Sequence, residues 1–208
     1  IFRPLWWLIL NGPILTFRPS KSGKAYQKIW DKENYGSPLR KFTINQTSKI
    51  KKIFKNYKNI SIDYAMRYGT PEIEKTLNKM TEKGCSKILL VPLYPQYAAS
   101  TSATVKDEVF KWMLKQRWQP DLRTIAPWFD DQQYIKALAE TIKKNVINKK
   151  NLDKLVVSFH GIPKRYFMAG DPYHCHCIKT ARLLKEKLKW TDDKILVTFQ
   201  SRFGPEPW

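Results

Sequence analysis

The chain has 208 residues, of which 42% are hydrophobic and 13% aromatic. This composition is typical of a globular protein and excludes a disordered, collagen-like or low-complexity chain. With 38 Lys and Arg against 18 Asp and Glu, the formal net charge is +20. Because the lysines are spread along the chain and no nucleic-acid motif accompanies them, we expect a solvating surface and no nucleic-acid binding.

Three cysteines in a chain without a secretion signal predict a reducing compartment and a cytoplasmic protein. The sequence begins at Ile1 inside an apolar run and ends at Trp208, directly after a predicted strand, so we expect a fragment truncated at both ends. The apolar run at residues 1–10 is too short to cross a membrane. It is either a surface lip that contacts lipid or a hydrophobic ligand, or a helix packed on the core.

The first predicted strand lies at residues 60–68. A helix follows it, with Thr70 as N-cap, Pro71 in the first turn and Gly84 as the stop. The continuous apolar run at residues 87–93 is typical of a strand that is covered on both faces.

The alternation continues to the end of the chain. In order, we predict a helix at 104–118, a strand at 122–126, a helix at 131–147, a strand at 154–159, a helix at 174–189 and a strand at 194–200. Strands that alternate with helices of this length indicate βαβ units, an α/β fold and mostly parallel sheets. A change in composition around residues 119–128 predicts a boundary between two α/β lobes near residue 125.

Ligands of such sheets bind at the carboxyl ends of the strands. Polar and aromatic side chains follow four of the predicted strands, at residues 67–69, 94–97, 160–161 and 200–202. His160 is the sharpest candidate, because imidazole can ligate a divalent metal or accept a proton near neutral pH. Its position alone is equally compatible with a structural histidine.

The residues that flank His160 resemble a known family signature. Residues 158–163 read Ser-Phe-His-Gly-Ile-Pro and precede Gly-Asp-Pro-Tyr at 170–173. This pattern resembles the signature of the ferrochelatase family. Further matches follow the family's order: Tyr26 with Gly-Ser-Pro-Leu at 36–39, Met-Arg-Tyr-Gly at 66–69, Pro-Leu-Tyr-Pro-Gln-Tyr at 92–97 with Ser-Thr at 100–101, and Phe-Gln-Ser-Arg-Phe-Gly-Pro-Glu-Pro-Trp at 199–208.

The resemblance covers essentially the whole chain. It implies two Rossmann-like, chelatase-type lobes with parallel sheets flanked by helices and a porphyrin cleft between them. Residues 1–125 would form the N-terminal lobe without its first strand, and residues 126–208 would form part of the second lobe without its C-terminal part.

The activity implied is that of a bacterial-type protoporphyrin ferrochelatase. Such a lyase inserts ferrous iron into protoporphyrin IX and forms protohaem in the last step of haem biosynthesis. A coproporphyrin ferrochelatase and a non-catalytic porphyrin- or metal-binding protein stay open as alternatives. We expect this chain alone to be poorly active.

The resemblance also implies roles for single residues. His160 would be the catalytic and metal-binding residue, which faces the centre of the macrocycle and binds iron or takes up pyrrole protons. The substrate-binding residues would be Arg67 and Tyr68 opposite the histidine, Arg18, Tyr26 and Ser37 at the propionates, and Gln200, Ser201 and Trp208 on another wall. Trp128 would pack near the site. The family's acidic partner, a glutamate on a later strand, is expected beyond Trp208, and Glu206 is not assigned that role.

Porphyrin and ferrous iron are therefore the expected partners, with iron as a substrate and no cofactor required. A [2Fe–2S] cluster is a less favoured alternative, because it needs four cysteines. The segment His174-Cys175-His176-Cys177 supplies two, and four consecutive ligands cannot readily surround one ion. We expect this segment to be the first turn of a helix. Peripheral contact with an anionic membrane on the cytoplasmic face is a further expectation.

Overall fold

The computed structural model describes residues 2–30, 36–146, 152–202 and 205–208, with the side chains of Arg18, Lys21 and Val146 excepted. The chain divides into two compact units, Ile1–Pro71 and Glu72–Trp208. The first unit contains three helices within its described residues, α1 (Arg3–Ile9), α2 (Leu15–Gln27) and α3 (Pro38–Ile53), with a π-helical turn at Leu10–Ile14 between the first two.

The second unit alternates helices and strands. In chain order these are α4 (Ile73–Glu82), β1 (Lys87–Leu90), α5 (Thr104–Lys115), β2 (Asp121–Thr124), α6 (Gln132–Val146), β3 (Leu155–His160), α7 (Lys164–Met168), α8 (Tyr173–Leu188) and β4 (Ile195–Gln200). The α/β class predicted from the alternation is confirmed. The predicted bounds of these elements differ from the observed ones by a few residues.

The apolar run at the start of the chain forms α1. None of the residues of α1 is buried, and the side chain of Trp7 is 62% exposed. These exposures favour a surface segment over a core helix. In the described part of the chain, no helix has the length and hydropathy that a membrane span requires.

The strand predicted at residues 60–68 does not form, and this prediction was wrong. Residues 60–68 form no strand ladder: Met66 makes only an isolated bridge, and its amide donates to the carbonyl of Pro71, 2.8 Å away. A strand is stable only when a neighbouring strand accepts and donates its backbone hydrogen bonds. Within the described residues, no such neighbour pairs with this segment.

The first sheet consists of β1 and β2, which pair in parallel with Lys87 opposite Asp121 and Leu90 opposite Thr124. Helices α4 and α5 cover one face and form a core cluster with Ile88, Val109 and Trp112 at its centre. Full burial of a side chain such as Val109 contributes about 1.5–3 kcal/mol. The expectation of a strand covered on both faces was wrong for β1, because Leu89 on its other face is 62% exposed.

The second sheet consists of β3 and β4, also parallel, with Leu155 opposite Ile195 and His160 opposite Gln200. Helices α6 and α8 pack on it through Ala139, Leu184 and their neighbours. Both sheets are therefore parallel and flanked by helices, as predicted. The register places the carboxyl ends of β3 and β4 side by side.

Two helix boundaries follow their sequence signals. Gly84, with φ +83°, lies just beyond α4 in a backbone conformation that suits glycine. The Asp131 carboxylate accepts the amide hydrogens of Gln133 and Tyr134 and so caps α6. The predicted start of α4 was wrong by two residues, because Glu72, and not Thr70, occupies its N-cap position.

The two core clusters lie on opposite sides of residue 125 in the sequence. The division into compact units falls elsewhere, between Pro71 and Glu72. The boundary between two lobes near residue 125 stays a prediction.

Candidate functional site

His160 is the last residue of β3, and its imidazole is held by the next peptide unit. Its Nδ1 atom lies 2.6 Å from the carbonyl oxygen of Gly161. Because a carbonyl oxygen can only accept, Nδ1 carries the hydrogen in the neutral ring, and Nε2 carries the lone pair. The free lone pair on Nε2 can bind a divalent cation or take up a proton.

The turn after His160 is tied to the end of β4. The Gly161 amide donates to the carbonyl of Gln200 across 2.7 Å. A Cβ atom on Gly161 would lie 3.1 Å from that carbonyl oxygen and 3.1 Å from Cε3 of Trp208. Glycine at this position therefore lets the Trp208 indole approach the backbone beside the histidine. The ring centroids of His160 and Trp208 are 6.5 Å apart.

A cavity of about 710 Å³ opens beside this turn. Its walls combine aromatic, aliphatic and cationic side chains: Gly161, Ile162, Lys164, Phe167, His174, Phe199, Gln200, Arg202, Pro207 and Trp208. His160 is not one of these residues, but it neighbours Gly161 and Trp208. A wide, aromatic-walled cavity with cationic groups suits a large conjugated ligand that carries carboxylates.

None of the described residues that line this cavity is acidic. The carboxylate of Glu206 is engaged by Arg165, with Nε 2.7 Å from Oε2. Glu206 is thus occupied elsewhere, in agreement with its exclusion as the partner of His160. The expected acidic partner beyond Trp208 stays a prediction.

Ser201 follows directly after β4 and has φ +69°. This left-handed conformation is uncommon for a residue with a Cβ atom and occurs preferentially at turns and sites. Both Gln200 and Ser201 are exposed. The structure thus brings together His160, Gln200, Ser201 and Trp208 at one edge of the second sheet.

The other predicted site residues belong to the first unit. The Arg67 guanidinium lies over the Tyr68 ring, 4.5 Å from its centroid, and Tyr68 is 73% exposed. Tyr26 lies near the end of α2 and is exposed, and Ser37 occupies the N-cap position of α3. Arg18 also lies in α2, but its side chain is outside the described residues.

The segment 174–177 forms the first turn of α8, as predicted, and its four side chains have different surroundings. His174 stacks on Phe199 at 5.2 Å, and His176 stacks on Phe129 at 3.6 Å. Cys175 is exposed, whereas Cys177 is buried and burial raises the pKa of its thiol to about 11. In the described ranges, no group of three or more His, Cys, Asp or Glu side chains is arranged to hold a metal ion.

Trp128 packs between the segment after β1 and the start of α6. Its indole nitrogen donates to the carbonyl of Pro92 over 3.4 Å, and its ring meets Tyr134 edge-on at 4.9 Å. Gln96 and Tyr97, which also follow β1, are hydrogen-bonded to Thr180 and His176 on α8. These residues hold elements together within the second unit.

Several contributors to the site were not predicted from the sequence. Phe167 and His174 line the cavity, and Arg165 binds Glu206 across 41 positions of sequence. No local pattern marks such contacts, because strand pairing and helix packing bring the residues together. A cavity-lining role for Phe167 and His174 could be read only from the folded chain.

A sequence model of the ferrochelatase family matches residues 1–208. The chain is 53% identical over 207 residues to the ferrochelatase of Allorhizobium ampelinum and 50% identical over 207 residues to that of Agrobacterium fabrum. Each alignment covers 99% of this chain and 60% of the relative. The ferrochelatase of Marinobacter nauticus is 46% identical over 208 residues, 99% of this chain and 56% of the relative.

The chain thus spans about 60% of the length of the curated relatives it matches. Among solved structures, SirB from Bacillus subtilis with Fe3+ is similar, with a TM-score of 0.56 and 19% identity. That likeness covers 83% of this chain and 65% of SirB, and it concerns the fold alone. The match of the family along residues 1–208, together with identities near 50%, shows that the chain belongs to the ferrochelatase family.

Proposed function

We propose that this chain is the part of a protoporphyrin ferrochelatase that carries the metal-insertion histidine, His160. The observation that carries the proposal is the hydrogen bond of 2.6 Å between Nδ1 of His160 and the Gly161 carbonyl. It leaves the Nε2 lone pair available next to a cavity of about 710 Å³ with aromatic walls. The family of the chain supplies the reaction: Fe²⁺ enters protoporphyrin IX, and two pyrrole protons leave.

The reaction needs a group that is basic near neutral pH, because the neutral macrocycle loses two protons while the metal sheds water. A neutral imidazole meets this need, as it can accept a pyrrole proton or ligate Fe²⁺ through the same lone pair. Interactions that favour the distorted, partly deprotonated ring over the flat substrate would accelerate insertion. In this proposal Trp208 and Gln200 form a wall against which the macrocycle is held.

The cationic and hydroxyl side chains would bind the propionates. Guanidinium groups bind carboxylates strongly and with defined geometry. We assign Arg18, Tyr26 and Ser37 to the propionates, Arg67 and Tyr68 to the wall opposite His160, and Ser201 to the wall with Gln200.

No resident cofactor is required in this proposal. The cytoplasmic location and peripheral contact with an anionic membrane stay predictions.

Replacement of His160 tests the proposal in the full-length protein. The change His160→Ala removes the whole imidazole, whereas His160→Asn keeps an N–H donor for the Gly161 carbonyl but lacks Nε2. We expect both variants to lose about 10²–10⁴-fold in kcat for Fe²⁺ or Zn²⁺ insertion, the usual contribution of a positioned acid–base group. Porphyrin binding, followed by the Soret band, should persist.

Wild-type insertion rates in either variant would contradict the role of His160. A wild-type protein that shifts the Soret band but inserts no metal would instead identify a porphyrin-binding protein. A higher kcat/KM for coproporphyrin than for protoporphyrin would replace the proposed substrate with coproporphyrin.

A further inference from the structure

The turn at residues 205–208 is fastened to α7 at two points. The Arg165 guanidinium binds the Glu206 carboxylate through Nε–Oε2 at 2.7 Å and Nη2–Oε1 at 3.5 Å. In addition, the Lys164 amide donates to the Pro207 carbonyl across 2.9 Å. Both contacts join α7, which follows β3, to the turn that follows β4.

The two prolines of the turn limit the backbone hydrogen bonds that it can form within itself. Pro205 and Pro207 have no N–H group, so neither residue can donate a backbone hydrogen bond that would hold the turn closed. The segment before Trp208 therefore has a single backbone donor, the Glu206 amide, beside its carbonyl oxygens and the Glu206 side chain. Arg165 and the Lys164 amide supply the matching donors.

Trp208 directly follows Glu206 and Pro207, the two residues that α7 contacts. Its Cε3 atom lies 3.1 Å from the point where a Gly161 Cβ would stand, and its ring centroid is 6.5 Å from that of His160. The indole also forms part of the wall of the cavity of about 710 Å³. A shift of the turn would therefore move this wall relative to His160.

We propose that Arg165 and Glu206 are positioning residues that fix the Trp208 indole beside His160 and so shape the wall of the porphyrin site. The inference rests on the proposed function for its kinetic consequence. It assigns to Glu206 a role in orienting the site through Trp208, with no contact to the reacting atoms. Its structural part, the orientation of Trp208 by the pair, stands independently of activity.

The expected effect is moderate. Arg165 and Glu206 are 65% and 38% exposed, and an exposed ion pair changes an equilibrium by about fivefold at most. We therefore expect Glu206→Gln to lower kcat/KM for the porphyrin by about two- to fivefold. The change Arg165→Glu should lower it further, because it places two carboxylates together.

The experiment uses the full-length protein labelled with fluorotryptophan, with the Trp208 fluorine resonance assigned through Trp208→Phe. The resonance should move or broaden in Glu206→Gln and in Arg165→Glu. It should return in the charge exchange Arg165→Glu with Glu206→Arg, together with kcat/KM. The matched control is Glu186→Gln, which breaks the exposed Arg182–Glu186 pair of 2.7 Å on α8 and should change neither readout.

An unmoved Trp208 resonance in Arg165→Glu would overturn the inference, even if the melting temperature fell. Failure of the charge exchange to restore the resonance would overturn it as well. If the wild-type protein inserted no metal, the proposed function would fail, and the resonance would still decide whether the pair orients Trp208.

Discussion

Gly161 shows how one residue shapes the candidate site. It accepts the Nδ1 hydrogen of His160, donates its own amide hydrogen to Gln200 and leaves room for the Trp208 ring. Three neighbours thus depend on one peptide unit and on the absence of a Cβ atom. The tautomer of His160, and with it the free lone pair on Nε2, follows from the first of these contacts.

The substitution Gly161→Ala tests whether the site depends on the missing Cβ atom. The added Cβ would stand 3.1 Å from both the Gln200 carbonyl and the Trp208 ring, which is closer than ordinary packing allows. We expect the free energy of unfolding to fall by about 1–3 kcal/mol, as for other overpacked sites, and the KM for porphyrin to rise. Denaturant unfolding and steady-state kinetics measure the two effects.

Gly23→Ala serves as the control, since a Cβ at Gly23 would meet nothing within 4 Å. Equal unfolding free energies for Gly161→Ala and the wild type would show that the close contact is absent.

At the scale of an element, the first turn of α8 directs four adjacent side chains to four environments. Helical side chains at consecutive positions diverge by roughly 100°. His176 therefore meets Phe129 and the Tyr97 amide, while His174 faces Phe199. This divergence is the physical reason why a run of His and Cys residues resembles a metal site in the sequence and does not form one within these four residues.

The environment of His176 predicts a pH dependence of stability. Its Nδ1 accepts the Tyr97 amide hydrogen over 3.2 Å, so the bonded form is neutral. Burial lowers the pKa of His176 below its ordinary value of 6.5, against the smaller opposing effects of Asp130 and Asp171, while Lys179 acts with burial. Below that ordinary value the unfolded chain takes up the proton first, so the free energy of unfolding falls as the pH falls.

We expect this loss to begin as the pH falls through the ordinary pKa of 6.5 and to end at the lowered pKa of the folded chain, with no contribution of His176 well above 6.5. In His176→Asn, the side-chain oxygen can replace Nδ1 as acceptor but does not titrate. The variant should show a flatter fall of unfolding free energy over the same window, measured by urea unfolding at each pH. Parallel curves for the variant and the wild type would rule out His176 as the source.

At the scale of the whole molecule, the second unit is held together by polar contacts between segments far apart in sequence. Thr180 on α8 is 3% exposed, accepts a hydrogen from the Gln96 amide group and donates to the Phe129 carbonyl. The Asp171 carboxylate accepts the Ala99 amide hydrogen over 2.8 Å. These bonds connect the segments that follow β1 and β2 with α8 and the segment before it.

The change Thr180→Val tests this connection, because valine has nearly the same shape and no hydroxyl group. Removing the Thr180 hydroxyl leaves the Gln96 amide group and the Phe129 carbonyl without this hydrogen-bond partner. The loss should lower the free energy of unfolding by about 1–3 kcal/mol. Thr141→Val is the matched control, since the Thr141 hydroxyl binds the Ala137 carbonyl on the exposed face of α6. Denaturant unfolding that gave equal losses for both variants would contradict the prediction.

The sequence by itself determined the family, the α/β class and most of the elements of the second unit. These depend on local signals: the apolar runs of β3 and β4, Gly84 as the stop of α4, and the residues around His160. Periodicity and capping act within a few residues, so they can be read without a fold.

Only the tertiary structure decided which predicted strands form and which distant residues meet at the site. Residues 60–68 look like a strand, but a strand forms only when another strand pairs with it, and that depends on the three-dimensional arrangement. Arg165 meets Glu206, and His176 meets Phe129, because parallel pairing and helix packing bring distant segments together. The sequence could therefore name His160 as a candidate. The Trp208 wall beside it and the Arg165–Glu206 pair depend on long-range contacts.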